Sequence, residues 1–335
     1  MRVIESKKIL IIKLQALGDI LMMTPAVRLL KQNHPEFVID HLVFKHYREV
    51  TQNNAYINKV ITLDEKRCTV RGLFYLLTII TEIRKARYDT IVNFHPSRFI
   101  RIVCMLLGGK KVVHTIFNMN SILQYHAIIF ENVIRSHFAG IDTDVENHKM
   151  DFFIALKNVD QSKLSRHQNY MCIQPGGGNN LGESTRIKQW PFVNYIRLIK
   201  LIQGSSPISI LLTGDTLDKE IAAAIAKEAP GVINVCGETN LDELAFLFSK
   251  SRVNISGDTG SMHLAATTGI PLITLFGPTD PVKLLPMAGK TELIKTTVDC
   301  APCYFGIFKG CKTGRRNCMN EIPVDAVFHC VKKYL

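Results

Sequence analysis

The sequence predicts an α/β protein with two Rossmann-like β/α/β domains that face a central cleft. Its 335 residues exceed what one hydrophobic core usually supports. Two successive series of short apolar segments alternate with helical segments, and glycine-rich turns follow the strand ends in both. We place the domains at residues 1–165 and 166–322, with a terminal helix at 323–335 and the polar linker at 158–169.

The first series contains five candidate strands, at residues 8–13, 37–44, 60–63, 88–94 and 110–114. Three candidate helices lie between and after these strands, at residues 20–31, 72–87 and 121–131, where apolar residues recur at helical spacing. Asp19 stands in the loop after the first strand, at the sheet edge where open α/β folds bind ligands. The alternative for Asp19 is a helix-capping role.

A polar loop follows the strand at 88–94 and contains His95, Ser97 and Arg98. If the strands are parallel, this loop lies at the same edge as Asp19. These three residues are therefore candidates for binding a substrate. The alternative is a polar loop whose histidine is simply hydrogen-bonded.

The second series has candidate strands at 170–173, 208–212, 232–235, 253–255 and 271–276. Candidate helices lie at 192–203, 217–229, 241–249 and 261–268. The triple glycine at 176–178 suits a close approach of the backbone to a ligand, although it matches neither the P-loop nor the dinucleotide-binding fingerprint.

Residues 253–281 combine a strand end, a glycine turn, a helix and a second strand. The turn Asp258-Thr259-Gly260 leads into a helix that carries His263. Free N–H groups at a helix N-terminus favour a phosphate. Any α/β protein has such turns, but the density of Asp, Thr, Ser and His here favours a binding site over a plain connection.

Further polar residues lie near the ends of two other strands of this series. Thr185 and Lys188 precede the Trp190-Pro191 pair, while Asp215 and Asp218 follow the strand at 208–212. Taken alone, Lys188 would be interpreted as a solvated surface lysine.

The composition describes a foldable and basic protein, with 47% hydrophobic residues, 21% charged residues and a net charge of +12. No nucleic-acid-binding signature accompanies the charge, so anionic lipid headgroups or a phosphorylated substrate are the expected partners. The apolar runs are too short to span a bilayer, and no secretion signal leads the sequence. We therefore expect a cytoplasmic protein with peripheral contact at the inner membrane.

Four cysteines cluster near the C-terminus with the spacing C-x2-C-x7-C-x6-C: Cys300, Cys303, Cys311 and Cys318. Four thiolates could hold a structural zinc ion. However, Cys311 and Cys318 are separated by six residues, whereas the stronger zinc patterns have two cysteine pairs that are each separated by two residues. Reduced thiols or incidental pairing are the alternatives.

The run 258–266 and the turn 276–279 resemble glycosyltransferase family 9, the heptosyltransferases that build the inner core of lipopolysaccharide. The first strand, the Gly-Asp turn ending at Asp19 and the Thr24-Pro25-Ala26 segment also match that family. The resemblance implies a GT-B fold and an inverting transfer of heptose from ADP-heptose to an inner-core acceptor. It also implies that the terminal helix can pack back on the first domain.

The resemblance implies roles for the base and the donor-binding residues, and the position of the loop at 95–98 makes its residues candidates for the acceptor side. Asp19 would be the general base, and Lys188 with Thr185 would contact the donor diphosphate. Asp215 or Asp218 would bind the donor ribose, and the sequence does not choose between them. Asp258, Thr259, Gly260 and His263 would hold the diphosphate or the sugar, and His95, Ser97 and Arg98 would line the acceptor side.

No cofactor or catalytic metal is required if these groups supply the positive charge, and no Asp-x-Asp pair follows a strand. The alternatives are a GT-B transferase that uses a hexose or N-acetylhexosamine donor, and a noncatalytic nucleotide- or glycan-binding protein on the same scaffold.

Overall fold

We describe a computed structural model of the chain. It covers residues 7–67, 73–115, 124–141, 148–164, 167–178, 185–287, 289–304, 311 and 313–335, without the side chains of residues 67, 73, 163 and 185. The chain divides into two compact units, Met1–Phe153 and Ile154–Leu335.

The first unit is a five-stranded parallel sheet with the strand order β3-β2-β1-β4-β5. Its strands are β1 Lys8–Ile12, β2 Val38–Phe44, β3 Lys59–Leu63, β4 Thr90–Asn93 and β5 Lys111–His114. Its helices are α1 Leu17–Asn33, α2 Leu73–Lys85, α3 Arg98–Leu106 and α4 His126–His137.

The central strand β1 is buried over residues 9–12, as its continuous apolar run predicts. Leu10 and Ile12 share one apolar cluster with residues of α2 and α3, so both helices cover the same face of the sheet. Helices α1 and α4 pack against each other.

The second unit is a six-stranded parallel sheet with the order β11-β10-β9-β6-β7-β8. The strands are β6 Tyr170–Gln174, β7 Ser209–Leu212, β8 Ile233–Asn234, β9 Asn254–Gly257, β10 Leu272–Phe276 and β11 Thr291–Lys295. The helices are α5 Gln161–Leu164, α6 Phe192–Gln203, α7 Lys219–Glu228, α8 Leu241–Lys250, α9 Gly260–Thr267, α10 Pro281–Leu284, α11 Asn317–Asn320 and α12 Val324–Val331.

Each sheet reverses its strand order beside its own first strand, between β1 and β4 in one unit and between β6 and β9 in the other. The loops at the carboxyl ends of such neighbouring strands diverge and leave a crevice, where α/β proteins bind ligands. The loops that begin at Lys13 and Phe94 lie at the first of these points. Those that begin at Pro175 and Asp258 lie at the second.

The prediction of an α/β fold with two Rossmann-like domains is confirmed, with four local differences. Helix α1 begins at Leu17, so Asp19 lies in its first turn rather than in a loop. Arg98 begins helix α3, which the sequence analysis missed. Helix α4 is His126–His137 instead of 121–131, of which 121–123 lie outside the described residues. Strand β11 was also missed, because it is an edge strand with only Ile294 buried.

The unit boundary lies at Phe153 and Ile154, twelve residues before the predicted start of the second domain at 166. The segment before 166 joins the second unit because it contacts α8. Asp242 accepts hydrogen bonds from the Ala155 N–H at 2.9 Å and from the Asn158 amide at 2.7 Å.

The C-terminal helix α12 also belongs to the second unit, whereas the resemblance had implied that it can pack on the first. Val324, Val327 and Val331 are buried in the core of the second unit. The helix packs against α6. Trp190 lies in the same core and donates a hydrogen bond to the Ile322 carbonyl at 3.2 Å. Among the described residues, no helix combines the length and the apolar character needed to cross a membrane.

Candidate active site

The first polar cluster is at the switch point of the first unit and centres on Asp19. The Lys13 ammonium, immediately after β1, donates a hydrogen bond to Asp19 Oδ2 at 2.6 Å. Lys13 is buried, while the Asp19 side chain keeps about a third of its surface exposed. The Asp19 carboxylate is therefore fixed by a buried cation and still partly exposed to solvent.

His95 is the second member of this cluster. Burial and the nearby Lys13 ammonium together lower the pKa of His95 to about 4, and the Asp19 carboxylate opposes them only in part. His95 is therefore neutral at physiological pH. The Ser97 N–H donates to its Nδ1 at 3.2 Å, so the neutral ring carries its proton on Nε2 and can donate a hydrogen bond from there.

The sequence analysis missed two supports of this cluster. His41 is buried, and burial lowers its pKa to about 4, so the ring is neutral. Its Nε2 donates to the Lys13 carbonyl at 3.1 Å, which fixes the backbone that carries the ammonium. Tyr47 lies close enough that burial first, and then the charges of Glu65 and Asp19, raise the pKa of its hydroxyl.

Ser97 and Arg98 lie at the start of α3, beside His95. Ser97 is the N-cap residue, but its hydroxyl makes no capping hydrogen bond. Arg98 is exposed. The structure therefore brings Asp19, His95 and Ser97 to one edge of the sheet and leaves the Arg98 guanidinium in solvent.

The second polar cluster is at the switch point of the second unit. Thr259 caps α9, because its hydroxyl accepts a hydrogen bond from the Met262 N–H at 3.3 Å. Gly260 is the first residue of the helix. Gly178, with φ +76°, approaches Thr259 so closely that a Cβ there would lie 3.3 Å from the threonine Cβ. The triple glycine therefore lies against the N-terminus of α9, as a close backbone approach to a ligand requires.

Lys188 and Asp258 form a buried ion pair in this cluster, with Lys188 Nζ 2.9 Å from Asp258 Oδ2. Burial would raise the pKa of Asp258, but the Lys188 ammonium and the neighbouring His263 outweigh it, so the pKa lies below its ordinary value. The lysine also lies over the Tyr304 ring, 4.7 Å from its centroid. Lys188 is thus a positioned cation and not the solvated lysine of the alternative interpretation.

Asp218 is the better placed of the two candidate ribose-binding carboxylates. It lies between two glycines, because a Cβ at Gly176 would come 2.0 Å from its Oδ1 and one at Gly214 would come 2.5 Å from its Oδ2. Burial and the Asp215 charge raise the pKa of Asp218 to about 6. Asp215 is exposed and caps the following turn by accepting from the Leu217 N–H at 2.7 Å.

Two buried polar atoms at this edge make no hydrogen bond within the part of the chain that the structure describes, Gln174 Nε2 and Thr213 Oγ1. Gln174 is the last residue of β6, and Thr213 directly follows β7. Buried polar groups without partners are rare in folded proteins and mark places where a ligand or water completes the bonding. The sequence analysis named neither residue.

Thr185 begins a short 3-10 turn, Thr185–Lys188, which carries the lysine. Its side chain lies outside the described part of the chain, so the expected contact of Thr185 with the donor stays a prediction. The Arg316 guanidinium donates to the Arg186 carbonyl at 2.9 Å and ties this turn to the C-terminal segment.

The four clustered cysteines line one cavity next to the turn at 277–280: Cys300, Cys303, Cys311 and Cys318. None of the four forms a disulfide bond. Over the described ranges, no group of three or more His, Cys, Asp or Glu side chains is arranged to hold a metal ion. The Cys303 N–H donates to the Pro278 carbonyl at 2.8 Å, so this segment supports the turn after β10.

A family model for glycosyltransferase family 9 (heptosyltransferase) matches residues 108–306. The chain is 24% identical over 291 residues to lipopolysaccharide heptosyltransferase 3 of Escherichia coli, covering 79% of this chain and 82% of that protein. It is 26% identical over 290 residues to lipopolysaccharide heptosyltransferase 1 of Salmonella typhimurium, covering 82% and 89%.

Solved structures agree in fold over nearly the whole chain. A glycosyl transferase family 9 protein from Veillonella parvula superposes with a TM-score of 0.82 at 20% identity, covering 98% of this chain and 97% of that one. The ADP-heptose lps heptosyltransferase II of Escherichia coli superposes with a TM-score of 0.78 at 18% identity, covering 98% of each chain. The family model covers more than half of the sequence. The chain is therefore a glycosyltransferase that belongs to family 9, the heptosyltransferases.

Proposed function

We propose that this enzyme transfers heptose from ADP-heptose to an inner-core acceptor of lipopolysaccharide, with inversion at the anomeric carbon and without a metal ion. The observation that carries the proposal is the Lys188–Asp258 ion pair beside the N-terminus of α9. Asp258 fixes the Lys188 ammonium next to the first N–H groups of α9, and such positioned N–H donors are what a departing nucleoside diphosphate requires.

In the proposed reaction, Asp19 takes the proton of the acceptor hydroxyl. The hydroxyl oxygen then attacks the anomeric carbon as the bond to the diphosphate breaks, which inverts the configuration in one displacement. Lys13 holds Asp19 through Oδ2, and about a third of the Asp19 side chain is exposed, where a substrate hydroxyl can approach it. Neutral His95, with its proton on Nε2, can donate to an acceptor hydroxyl and orient it.

The donor half of the reaction would use the second unit. The Lys188 ammonium and the first N–H groups of α9 would stabilise the charge that develops on the leaving diphosphate. Asp258 acts through Lys188, since the pair is buried and its carboxylate faces the ammonium. Asp218, in its glycine cradle, would accept hydrogen bonds from the donor ribose.

The relatives named above support the choice of substrates. The proteins from Escherichia coli and Salmonella typhimurium are named lipopolysaccharide heptosyltransferases. A further structural neighbour is the Escherichia coli heptosyltransferase WaaC with ADP. The proposal includes a cytoplasmic location and peripheral contact with the inner membrane, where a lipid-linked acceptor would be met.

The donor site is tested by calorimetric titration of ADP, UDP, GDP and CMP into the wild type and variants. Lys188→Met/Asp258→Asn removes both buried charges together, which avoids leaving one unpaired. We expect selective binding of ADP by the wild type and a loss of about tenfold or more in the double variant. Lys200→Met, an exposed lysine on α6, is the matched control.

Preference for UDP or GDP would contradict ADP-heptose as donor while leaving a glycosyltransferase in place. Absence of binding by all four nucleotides would overturn the donor site itself.

Turnover of ADP-heptose tests the base. Asp19→Asn keeps an acceptor for Lys13 but cannot take a proton, so kcat should fall by about 10²–10⁴ while ADP affinity is retained. Asp325→Asn, an exposed aspartate in α12, should leave kcat unchanged. Equal turnover by Asp19→Asn and wild type would remove Asp19 as the base, and an NMR spectrum showing a retained anomeric configuration would remove the single displacement.

A further inference from the structure

The outer surface of α3 is apolar although it faces solvent. Phe99, Ile102, Met105 and Leu106 are each more than half exposed. Their spacing of three to four residues puts them along one side of the helix. The opposite side, which includes Ile100, Val103 and Cys104, packs on the sheet. Apart from Arg98 and Arg101, helix α3 therefore carries apolar side chains on its outer side as well, whereas a helix on the surface of a soluble protein is normally polar there.

Helix α2 extends the same surface. Phe74 is 85% exposed and Leu77 is 50% exposed, while Ile79, Ile80 and Ile83 of the same helix pack on the sheet beside α3. The Arg84 guanidinium donates to the Leu106 carbonyl at 3.4 Å, which ties the C-terminal ends of the two helices together. We call the six exposed apolar side chains the α2–α3 face: Phe74, Leu77, Phe99, Ile102, Met105 and Leu106.

Basic residues accompany the α2–α3 face. Arg84 and Lys85 are exposed at the end of α2, and Arg98 is exposed at the start of α3. Helices α2 and α3 together contain one acidic residue, Glu82. Exposed aromatic and aliphatic side chains interspersed with cations match a membrane interface, in which anionic headgroups lie above the hydrocarbon.

A second copy of the chain fits this face less well. A symmetric dimer would place the same patch against itself, so that the cations of one copy would meet those of the other. An anionic bilayer instead satisfies the apolar and the basic groups together. The chain as a whole carries a net charge of +12, which adds a general attraction to such a surface.

We propose that the α2–α3 face docks this protein on an anionic lipid bilayer, with the apolar side chains inserted among the headgroups. Helix α3 begins directly after His95 and Ser97. Docking would therefore hold the loop at 95–98 beside the lipid headgroups. If the proposed function is correct, that is where a lipid-anchored acceptor presents its sugars.

Sedimentation with large vesicles tests the docking on the full-length protein. Vesicles of equimolar phosphatidylcholine and phosphatidylglycerol should bind the wild type, and vesicles of phosphatidylcholine alone should bind it far less. Phe99→Gln/Ile102→Gln should weaken binding to the anionic vesicles by at least about tenfold, since each side chain loses the gain of leaving water. The matched control is Val193→Gln/Leu201→Gln on α6, where both side chains are exposed in the second unit.

The charge contribution is tested separately. Lys85→Gln/Arg98→Gln should also weaken binding to anionic vesicles, by on the order of tenfold, and added salt should reduce the wild-type affinity in the same way. ADP titration and thermal melting of each variant show that the fold and the donor site are intact. Failure of the docking proposal is thus distinguished from failure of the proposed function.

Three outcomes would overturn the proposal: no binding of the wild type to anionic vesicles, equal binding by Phe99→Gln/Ile102→Gln and wild type, or equal loss in the α6 control. A dimer in light scattering that Phe99→Gln/Ile102→Gln dissociates, without any vesicle binding, would assign the face to a second copy of the chain instead.

Discussion

Each of the two polar clusters contains a buried lysine paired with an aspartate, but the exposure of the carboxylate differs. Asp19 keeps about a third of its side chain exposed beside buried Lys13, whereas Asp258 and Lys188 are both buried. A partly exposed carboxylate can exchange a proton with a substrate, while a buried one serves mainly to fix its cation. This difference supports a base role for Asp19 and a positioning role for Asp258.

Replacing Lys13 should change the titration of its neighbours. In Lys13→Met the repulsion that lowers the pKa of His95 is removed and the attraction of Asp19 remains, so this pKa should rise above its wild-type value of about 4. The His95 ring resonances followed by NMR against pH measure this directly. Lys45→Met, at an exposed lysine of the same unit, should leave the titration unchanged, and an unchanged curve in Lys13→Met would contradict the cluster.

Asp218 should make the protein less stable as pH rises. Its folded pKa of about 6 lies above its ordinary value of 3.8, so between these values the folded state binds more protons than the unfolded state. The free energy of unfolding of the wild type, relative to Asp218→Asn, should therefore fall from about pH 4 to about pH 6 and then stay level. Urea unfolding of both proteins from pH 4 to pH 8 measures the difference, and a constant difference over that range would argue against a raised pKa.

At the residue scale, the sequence located the second cluster better than the first. Asp258 and Thr259 belong to a glycine turn before a helix, which is a local signal, and Lys188 was identified through the resemblance of its Trp-Pro segment to family 9. Lys13 ends an apolar run and carries no such signal. Its role arises because β1, β2 and β4 lie side by side, and one sequence contains no direct record of that arrangement.

At the scale of elements, most of the predicted strands and helices exist with small shifts of their ends, because buried apolar runs and helical spacing identify them. Helix α3 was missed because apolar residues occur on its outer side as well as against the sheet, so the helical spacing of buried residues is not distinct in its sequence. Strand β11 was missed for the opposite reason. It is mostly polar and forms by pairing with β10.

The turn after β6 is packed so closely on the turn after β7 that one methyl group should disrupt it. In Gly176→Ala the new Cβ would lie 2.0 Å from Asp218 Oδ1, so the Asp218 side chain would have to leave its position between the two turns, or one of the turns would have to move. We expect a loss of about 1–3 kcal/mol in the free energy of unfolding, as for other overpacked sites, together with weaker ADP binding.

A double-mutant cycle isolates this contact. Asp218→Ala creates space for the methyl group, so Gly176→Ala should cost much less in that background. Gly204→Ala at the end of α6 is the control. Its new Cβ would lie 3.4 Å from the nearest atom, the Lys200 carbonyl oxygen, so the free energy of unfolding should change little. Strict additivity of Gly176→Ala and Asp218→Ala would refute the proposed contact.

For the whole molecule, the two-unit organisation could be predicted because the β/α pattern starts again after residue 158. The boundary itself could not, since the polar residues that suggest a linker also hydrogen-bond to α8. Asn158 is one of them, and its amide binds the buried Asp242.

This difference can be tested with two fragments of the second unit. The fragment 154–335 keeps the partners of Asp242, and also the N–H of Asp160 that binds Glu243 at 3.3 Å. The fragment 166–335 loses them and leaves both carboxylates without these bonds. Urea unfolding should show 154–335 to be more stable by about 1–3 kcal/mol. Equal stability of the two fragments would favour the later boundary.

Trp190 has a practical consequence, because it is the only tryptophan of the chain. Its indole is buried in the core of the second unit and packs edge-on against the Tyr195 ring, with 4.9 Å between the ring centroids. Along the sequence it is two residues from Lys188. Fluorescence excited at the red edge of the absorption band therefore comes from that unit alone, while circular dichroism reports both. Comparing the two signals during denaturation would show whether the units unfold together, without attaching a dye or cutting the chain.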